Sequence, residues 1–185
     1  MEHLKTDLSA FNNKWYKPGS FFIMRIFWYI INALFIHSWI PGSAWRSFFL
    51  RLYGADIGYG CVFKPHVNIK YPWNLEIGNH TWIGERVWID NLAKVSIADN
   101  CCISQGALLL CGNHNYKKQT FDLLVGSITL EEGVWIGAKS IVTANVTCKS
   151  HSVLSAGSVA TSNLDEYSIY AGNPAVKIRE RKIEI

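Results

Sequence analysis

Six histidines and one acidic-amide pair hold most of the chemistry this sequence could do. His114 stands in the run Gly112-Asn113-His114-Asn115-Tyr116. A neutral imidazole titrating near physiological pH can take the proton of an attacking hydroxyl. Asp90-Asn91 is the second polar break, in Trp88-Ile89-Asp90-Asn91-Leu92. Its carboxylate could orient an imidazole or grip a hydroxyl and its amide could do the latter, although Asp-Asn is also ordinary turn chemistry. His66 and His80 fall at mid-side positions of the repeat described next, and His151 at a solvent corner. His37 lies in an aromatic run and His3 at the terminus. Cys111, two residues before Asn113, reads as a nucleophile or, more simply, as a small apolar residue inside a strand. Five cysteines, an odd number without a CxxC pair, and no cleavable leader point to a reduced, cytoplasmic chain. Neither HExxH, nor GxxxxGK[ST], nor GxGxxG after a strand occurs, so metal hydrolysis, nucleotide hydrolysis and dinucleotide redox chemistry lack support.

The scaffold that must position these groups announces itself as a repeat. Aliphatic residues return every six positions: Ile57, Phe63, Ile69; Ile77, Ile83, Ile89; Ile97, Ile103, Leu109; Leu130, Ile136, Val142, Cys148, Leu154 and Ala160. A second small or β-branched column accompanies them, at Val67, Thr81, Val87, Ala107, Val134, Ser140, Val146 and Ser158. Period six fits neither a helix at 3.6 nor an alternating strand. It fits a three-sided coil of about 18 residues whose aliphatic residue points inward on each side, with about five coils in all. Two-residue slips precede Ile77 and Ile97, and the rhythm stops between Leu109 and Leu130. That stretch should project as a loop, near 115–129, and an excursion from a monotonous scaffold is where function is expected. His114 stands at its root.

These frames, the run WNLEIGNHTWIGERVWIDNLAKVSIADNCCISQGALLLCGNHNY, the segment GVWIGAKSIV and the tail YAGNPAVKIR resemble the hexapeptide-repeat acyltransferases over roughly residues 54–179. More narrowly, they are similar to the colanic-acid-type acetyltransferases of exopolysaccharide gene clusters. The resemblance implies an all-β, left-handed parallel β-helix, assembled as a homotrimer with its sites between subunits. It implies an acetyl-CoA-dependent O-acetyltransferase acting on a saccharide hydroxyl, with His114 as general base and Asp90 beside it. Asn91, Asn113 and Tyr116 would touch the acceptor. Gly137, Ala138, Ala156, Gly157 and Thr161 would line the pantetheine arm, and Lys177 and Arg179 would hold coenzyme A phosphates. No metal is expected. Two rival readings are an N-acetyltransferase on an amino sugar, and a non-catalytic or metal-binding trimeric β-helix.

Ahead of the repeat the character changes. The organisation reads as a helical segment over 1–53, a β-helix over 54–176 and a basic tail over 177–185. Phe21 to Ile40 is nearly continuous apolar sequence, interrupted by Arg25, Asn32, His37 and Ser38, with Trp15, Trp28, Trp39 and Trp45 and several cations in or around it. It reads as helices packed on the body, as a helix lying in the cytoplasmic leaflet, or as a span that Arg25 would make poor. Pro41-Gly42 should end the first helix, and Ala44 to Tyr53 reads as a second. If the saccharide acceptor is lipid-linked, residues 15–52 could hold the protein at the inner face of the membrane. The 185 residues carry 18 Lys+Arg against 14 Asp+Glu, with 49% hydrophobic, 14% aromatic and 17% charged residues. This excludes a disordered chain, and with no dense basic block a nucleic-acid partner is not expected.

Overall fold

A computed structural model describes residues 4–184, so His3 lies outside the described residues. The repeat winds into a parallel β-solenoid with three sheet faces, the left-handed β-helix expected. Face A stacks Asp56–Ile57, Leu75–Ile77, Val95–Ile97, Ile128–Leu130 and Thr147–Cys148; face B begins at Val62–Phe63 and face C at Asn68–Ile69. Register fixes the coil length. Asp56 pairs with Glu76 and Leu75 with Val95, twenty residues on, which absorbs the two slips. Val95 then pairs with Ile128 across the interruption, and Thr129 with Thr147 at eighteen. Five coils close, and Leu164 with Ser168–Gly172 begins a sixth.

Each six-residue side gives a strand of only two or three residues, because every side ends in a sharp corner. The corners are left-handed: His66, His80, Arg86, Asn100, Lys139, Asn145 and His151 all have positive φ. His66 and His80 are therefore corner residues, not the mid-side residues expected. A side-chain-bearing residue pays ~1–2 kcal/mol for this conformation, and bonds between coils hold it, such as His80 N–H to Tyr59 O at 2.9 Å. The column from Ile57 to Ala160 is buried, and the second column from Val67 to Ser158 with it. Each large inward aliphatic contributes ~1.5–3 kcal/mol by leaving water. Between coils, Gly84 and Gly137 sit where a Cβ would lie 2.8 Å from Ile103 O and 2.5 Å from Ala156 N.

The two ends are plugged. Helix α1 (Phe22–Ile31) runs into a π turn (Asn32–Ile36), and helix α2 (Ser43–Leu52) follows. Trp28, Ile36 and Leu50 join the solenoid core, and Trp28 Nε1 donates to Ile69 O at 3.1 Å. The first helix stops well short of Pro41. Buried Arg46 gathers the carbonyls of Ile36, Ser38, Ile40 and Gly42, which a continuing helix would have kept for itself. No helix among the described residues is long and apolar enough to cross a membrane. At the other end Ala175–Glu180 folds back antiparallel on Ser168–Gly172, so residues 177–180 belong to face B and not to a separate tail.

The interruption is also more ordered than a loop. Gly112–His114 pairs antiparallel with Leu123–Val125, and face A resumes at Ile128.

Candidate active site

The hairpin lifts His114 off the third coil and fixes its ring. His114 Nδ1 lies 2.9 Å from Phe121 O. A carbonyl can only accept, so Nδ1 carries the proton and Nε2 keeps its lone pair. Phe121 stacks on the imidazole at 4.4 Å and 7° between planes, while Phe11 approaches from the other chain segment at 5.7 Å. Phe121 has φ +50, a strained conformation for a bulky residue, and it is this backbone that supplies the carbonyl. No repeat or motif marks Phe121; only the hairpin register reveals it.

His114 lines a cavity of about 810 Å³ together with Asp90, Asn113, Lys70, Tyr71 and an N-terminal arm carrying Phe11, Asn13, Lys14 and Tyr16. The arm is tied down by Asp7 N–H to Gln119 O at 2.9 Å and by Tyr16 Oη donating to Leu92 O at 2.7 Å. Burial near Asp90 pushes the Tyr16 phenol up to about 12, so it stays a donor. Asp90 is buried and accepts from Lys70 Nζ at 2.8 Å. It shares the cavity with His114, but the bond that orients the imidazole comes from Phe121 O. Asn91 departs from expectation: its Oδ1 accepts from Tyr71 N–H at 2.9 Å and its Nδ2 donates to Tyr71 O, which closes the corner and leaves no amide for a ligand. Asn113 borders the cavity, its Oδ1 accepting from His114 N–H at 2.7 Å. Tyr116 is 76% exposed and is not among the lining residues. Cys111 is fully buried and its thiol is pushed up to about 11 by burial, which suits a core residue and not a nucleophile.

A second cavity, of about 580 Å³, lies on face B and shares no lining residue with the first. Gly137, Ala138, Ala156 and Arg179 line it, joined by Arg181 and Lys182, which sequence reasoning did not single out. Gly157 is a neighbouring corner with open space beside it, and Thr161 is exposed beyond the last strand of face C. Lys177 turns elsewhere. A register shift pairs Arg179 with outward Ile169 but Lys177 with inward Tyr170, and Lys177 Nζ instead meets Glu180 at 2.6 Å. Among the described residues no group of three or more His, Cys, Asp and Glu is close enough to hold a metal. His80 sits at an A-to-B corner beside Tyr59, whereas His114 leaves the C-to-A corner.

No protein-family model matches the chain. It is 34% identical over 178 residues to the Escherichia coli K12 protein named "Putative colanic acid biosynthesis acetyltransferase WcaF", covering 95% of this chain and 97% of that one. Galactoside O-acetyltransferase of the same strain is 29% identical over 68% of this chain and 64% of its own. Among solved structures, galactoside acetyltransferase in complex with coenzyme A superposes with TM-score 0.77 at 25% identity, covering 86% of this chain and 82% of that chain. A Vibrio cholerae hexapeptide-repeat acetyltransferase complexed with acetyl coenzyme A gives TM-score 0.78 at 23% identity, over 87% and 88%, a likeness of fold.

Proposed function

The chain belongs to the colanic-acid-type hexapeptide-repeat acetyltransferases, and from that premise we propose that it moves an acetyl group from acetyl coenzyme A to a saccharide hydroxyl, with His114 as general base. The observation that carries the base is the bond from Nδ1 to Phe121 O, which leaves Nε2 as the basic nitrogen of a side chain that lines the cavity. The acceptor oxygen attacks the thioester carbon, Nε2 takes its proton, the carbon–sulfur bond breaks, and the proton passes to the leaving thiolate. No protein nucleophile is needed when both substrates are held together. The O-acetyl reading draws support from galactoside O-acetyltransferase among the relatives, and a glycan of exopolysaccharide type from the colanic acid name. His114→Ala should lower kcat ~10²–10⁴-fold with little change in KM for acetyl coenzyme A. Mass spectrometry of a saccharide and amino-sugar panel reads both the rate and the acylated atom. Full transfer by the variant removes the base, and product on nitrogen only removes the O-acetyl reading.

Donor and acceptor cavities that share no wall on one chain fit a homotrimer in which one subunit's His114 meets another's face B. Outward Trp82 and Trp135, 58% and 47% exposed on that face, give such a contact apolar area. Coenzyme A fits the face B cavity: Gly137, Ala138 and Ala156 line it with small residues, and Arg179, Arg181 and Lys182 offer charge to its phosphates.

We also place residues 15–52 on the cytoplasmic leaflet, with a lipid-linked acceptor. Phe21, Phe22, Phe27, Leu34 and Trp39 are each more than half exposed, an apolar surface of a kind that marks a docking face. From residue 8 to 55 there is no acidic side chain, and Lys14, Lys17, Arg25 and Arg51 complement an anionic surface. Because Trp28 and Leu50 belong to the core, the test is a surface change: Phe22→Gln, Phe27→Gln and Trp39→Gln together. Sedimentation with phosphatidylglycerol vesicles should be lost while the assembly's mass is kept. Loss of assembly with unchanged vesicle binding would make the face a subunit contact instead.

A further inference from the structure

Face B carries another hollow, further from the C-terminal end than the cavity that Arg179 lines. On the outer side of this face Trp135, Cys102 and Trp82 fall in register on consecutive coils, while Ile136, Ile103 and Ile83 beside them are buried. A small thiol next to a large indole leaves a hollow of about 260 Å³, walled by Trp82, Cys102, Val62 and Gly84, with Lys64 at its exposed rim. Ser104 and Gln105 line both this hollow and the larger cavity, so the two meet end to end. Trp135 Nε1 donates to Ser104 Oγ at 2.9 Å, which fixes that indole beside the junction. No residue of the hollow borders the His114 cavity of the same chain. Charge gives the larger cavity a direction. Arg179, Arg181 and Lys182 stand at one end of it and Ser104 with Gln105 at the other, where no cation lines the wall. Coenzyme A has its phosphates and its sulfur at opposite ends, so phosphates held by those cations send the thioester towards Ser104. Whatever follows the carbonyl in the acyl group then points into the hollow, and the methyl of an acetyl group leaves most of it unfilled.

We propose that this hollow is an acyl pocket, and that the enzyme also transfers propionyl and butyryl groups from their coenzyme A thioesters. The proposal rests on the reading of the larger face B cavity as the donor site. Its walls are chiefly indole, aliphatic and thiol surface, which rewards each buried methylene and offers little to the hydroxyls of a sugar. Cys102 sets the depth, because it is the small side chain between two tryptophans in the outward column. The bonds made and broken are those of acetyl transfer: the acyl carbon leaves sulfur for the acceptor oxygen, and the acceptor's proton ends on the thiolate. Only the chain behind the carbonyl differs.

The test is calorimetric binding of acetyl, propionyl and butyryl coenzyme A to the full chain, followed by transfer assays with the same donors. Two further methylenes in an apolar pocket should make butyryl coenzyme A bind roughly tenfold more tightly than acetyl coenzyme A, with propionyl between them. Cys102→Leu fills the hollow and should bring the three affinities together, leaving that for acetyl coenzyme A within about twofold of wild type. Cys102→Ser, of nearly unchanged size, should keep the wild-type order. Binding needs no acceptor and no base, so His114→Ala should show the same order, and failure of the base or of the O-acetyl reading leaves this result standing. Equal binding of all three donors by the wild type overturns the pocket, as does an equal loss of all three in Cys102→Leu. An unchanged donor order in Cys102→Leu with a raised KM for the saccharide gives the hollow to the acceptor and also overturns it. Binding of none of the donors overturns the donor site and the pocket with it. Transfer of butyryl groups to the saccharide, seen by mass spectrometry and lost in Cys102→Leu while acetyl transfer persists, establishes the wider activity; tight binding of butyryl coenzyme A without transfer overturns it.

Discussion

Because the Phe121 carbonyl accepts from Nδ1, one backbone atom sets the tautomer of His114, and the ring stacked on it sets the plane. Phe121→Gly separates the two. Glycine adopts φ +50 freely and removes ~1–2 kcal/mol of strain, while the stack disappears. Its melting temperature should hold or rise, and acetyl transfer should fall roughly ten- to a hundredfold through a loosened imidazole; an unchanged rate would leave the stack without a role. The cysteines give a second residue-scale expectation. Burial pushes the Cys101 and Cys111 thiols up to about 11, from an ordinary value of 9.0. The folded chain therefore binds these protons more tightly than the unfolded one. Their contribution is whole below the ordinary thiol pKa and is lost as pH rises through that interval. Melting curves between pH 8 and 10.5 should fall with pH, and a Cys111→Ala chain, which should keep its activity, should fall less steeply.

At the scale of the element, the coils stack too closely for any side chain at some positions. A Cβ at Gly84 would lie 2.8 Å from both Ile103 O and Gln105 N. Gly84→Ala should cost ~1–3 kcal/mol, read as a lowered denaturant midpoint. The position is outside both the His114 and face B cavities, so acetyl transfer at low temperature should survive. The hairpin shows how an element can be half legible. The lost rhythm after Leu109 marks where it leaves the prism, but nothing in residues 115–122 declares that Gly112 will pair with Val125. That pairing forms only because the third coil presents one strand and the return to Ile128 presents the other. The N-terminal arm was harder still, since Phe11, Lys14 and Tyr16 lie far in sequence from the His114 whose cavity they wall.

For the whole molecule, the separation of the two cavities makes assembly a functional question. Sedimentation equilibrium should report three copies, and coenzyme A at a hundred times its Kd should stabilise the assembly by about 2.7 kcal/mol, seen as a raised melting temperature. A fully active monomer would require both substrates to meet on one chain, across walls that have no residue in common.

The six-residue rhythm by itself determined the prism, its inward columns and the place where the chain leaves it. Those properties depend on the type of one residue and its near neighbours: an aliphatic that must be buried and a corner that must turn. What the tertiary structure decided is which groups meet. Asn91 was spent on Tyr71, Lys177 on Glu180, and Asp90 on Lys70, while Phe121, Arg25 and the arm came to the His114 cavity. Hydrogen-bond partners are chosen by proximity between distant segments, and that proximity exists only once the coils have stacked and the arm has crossed them.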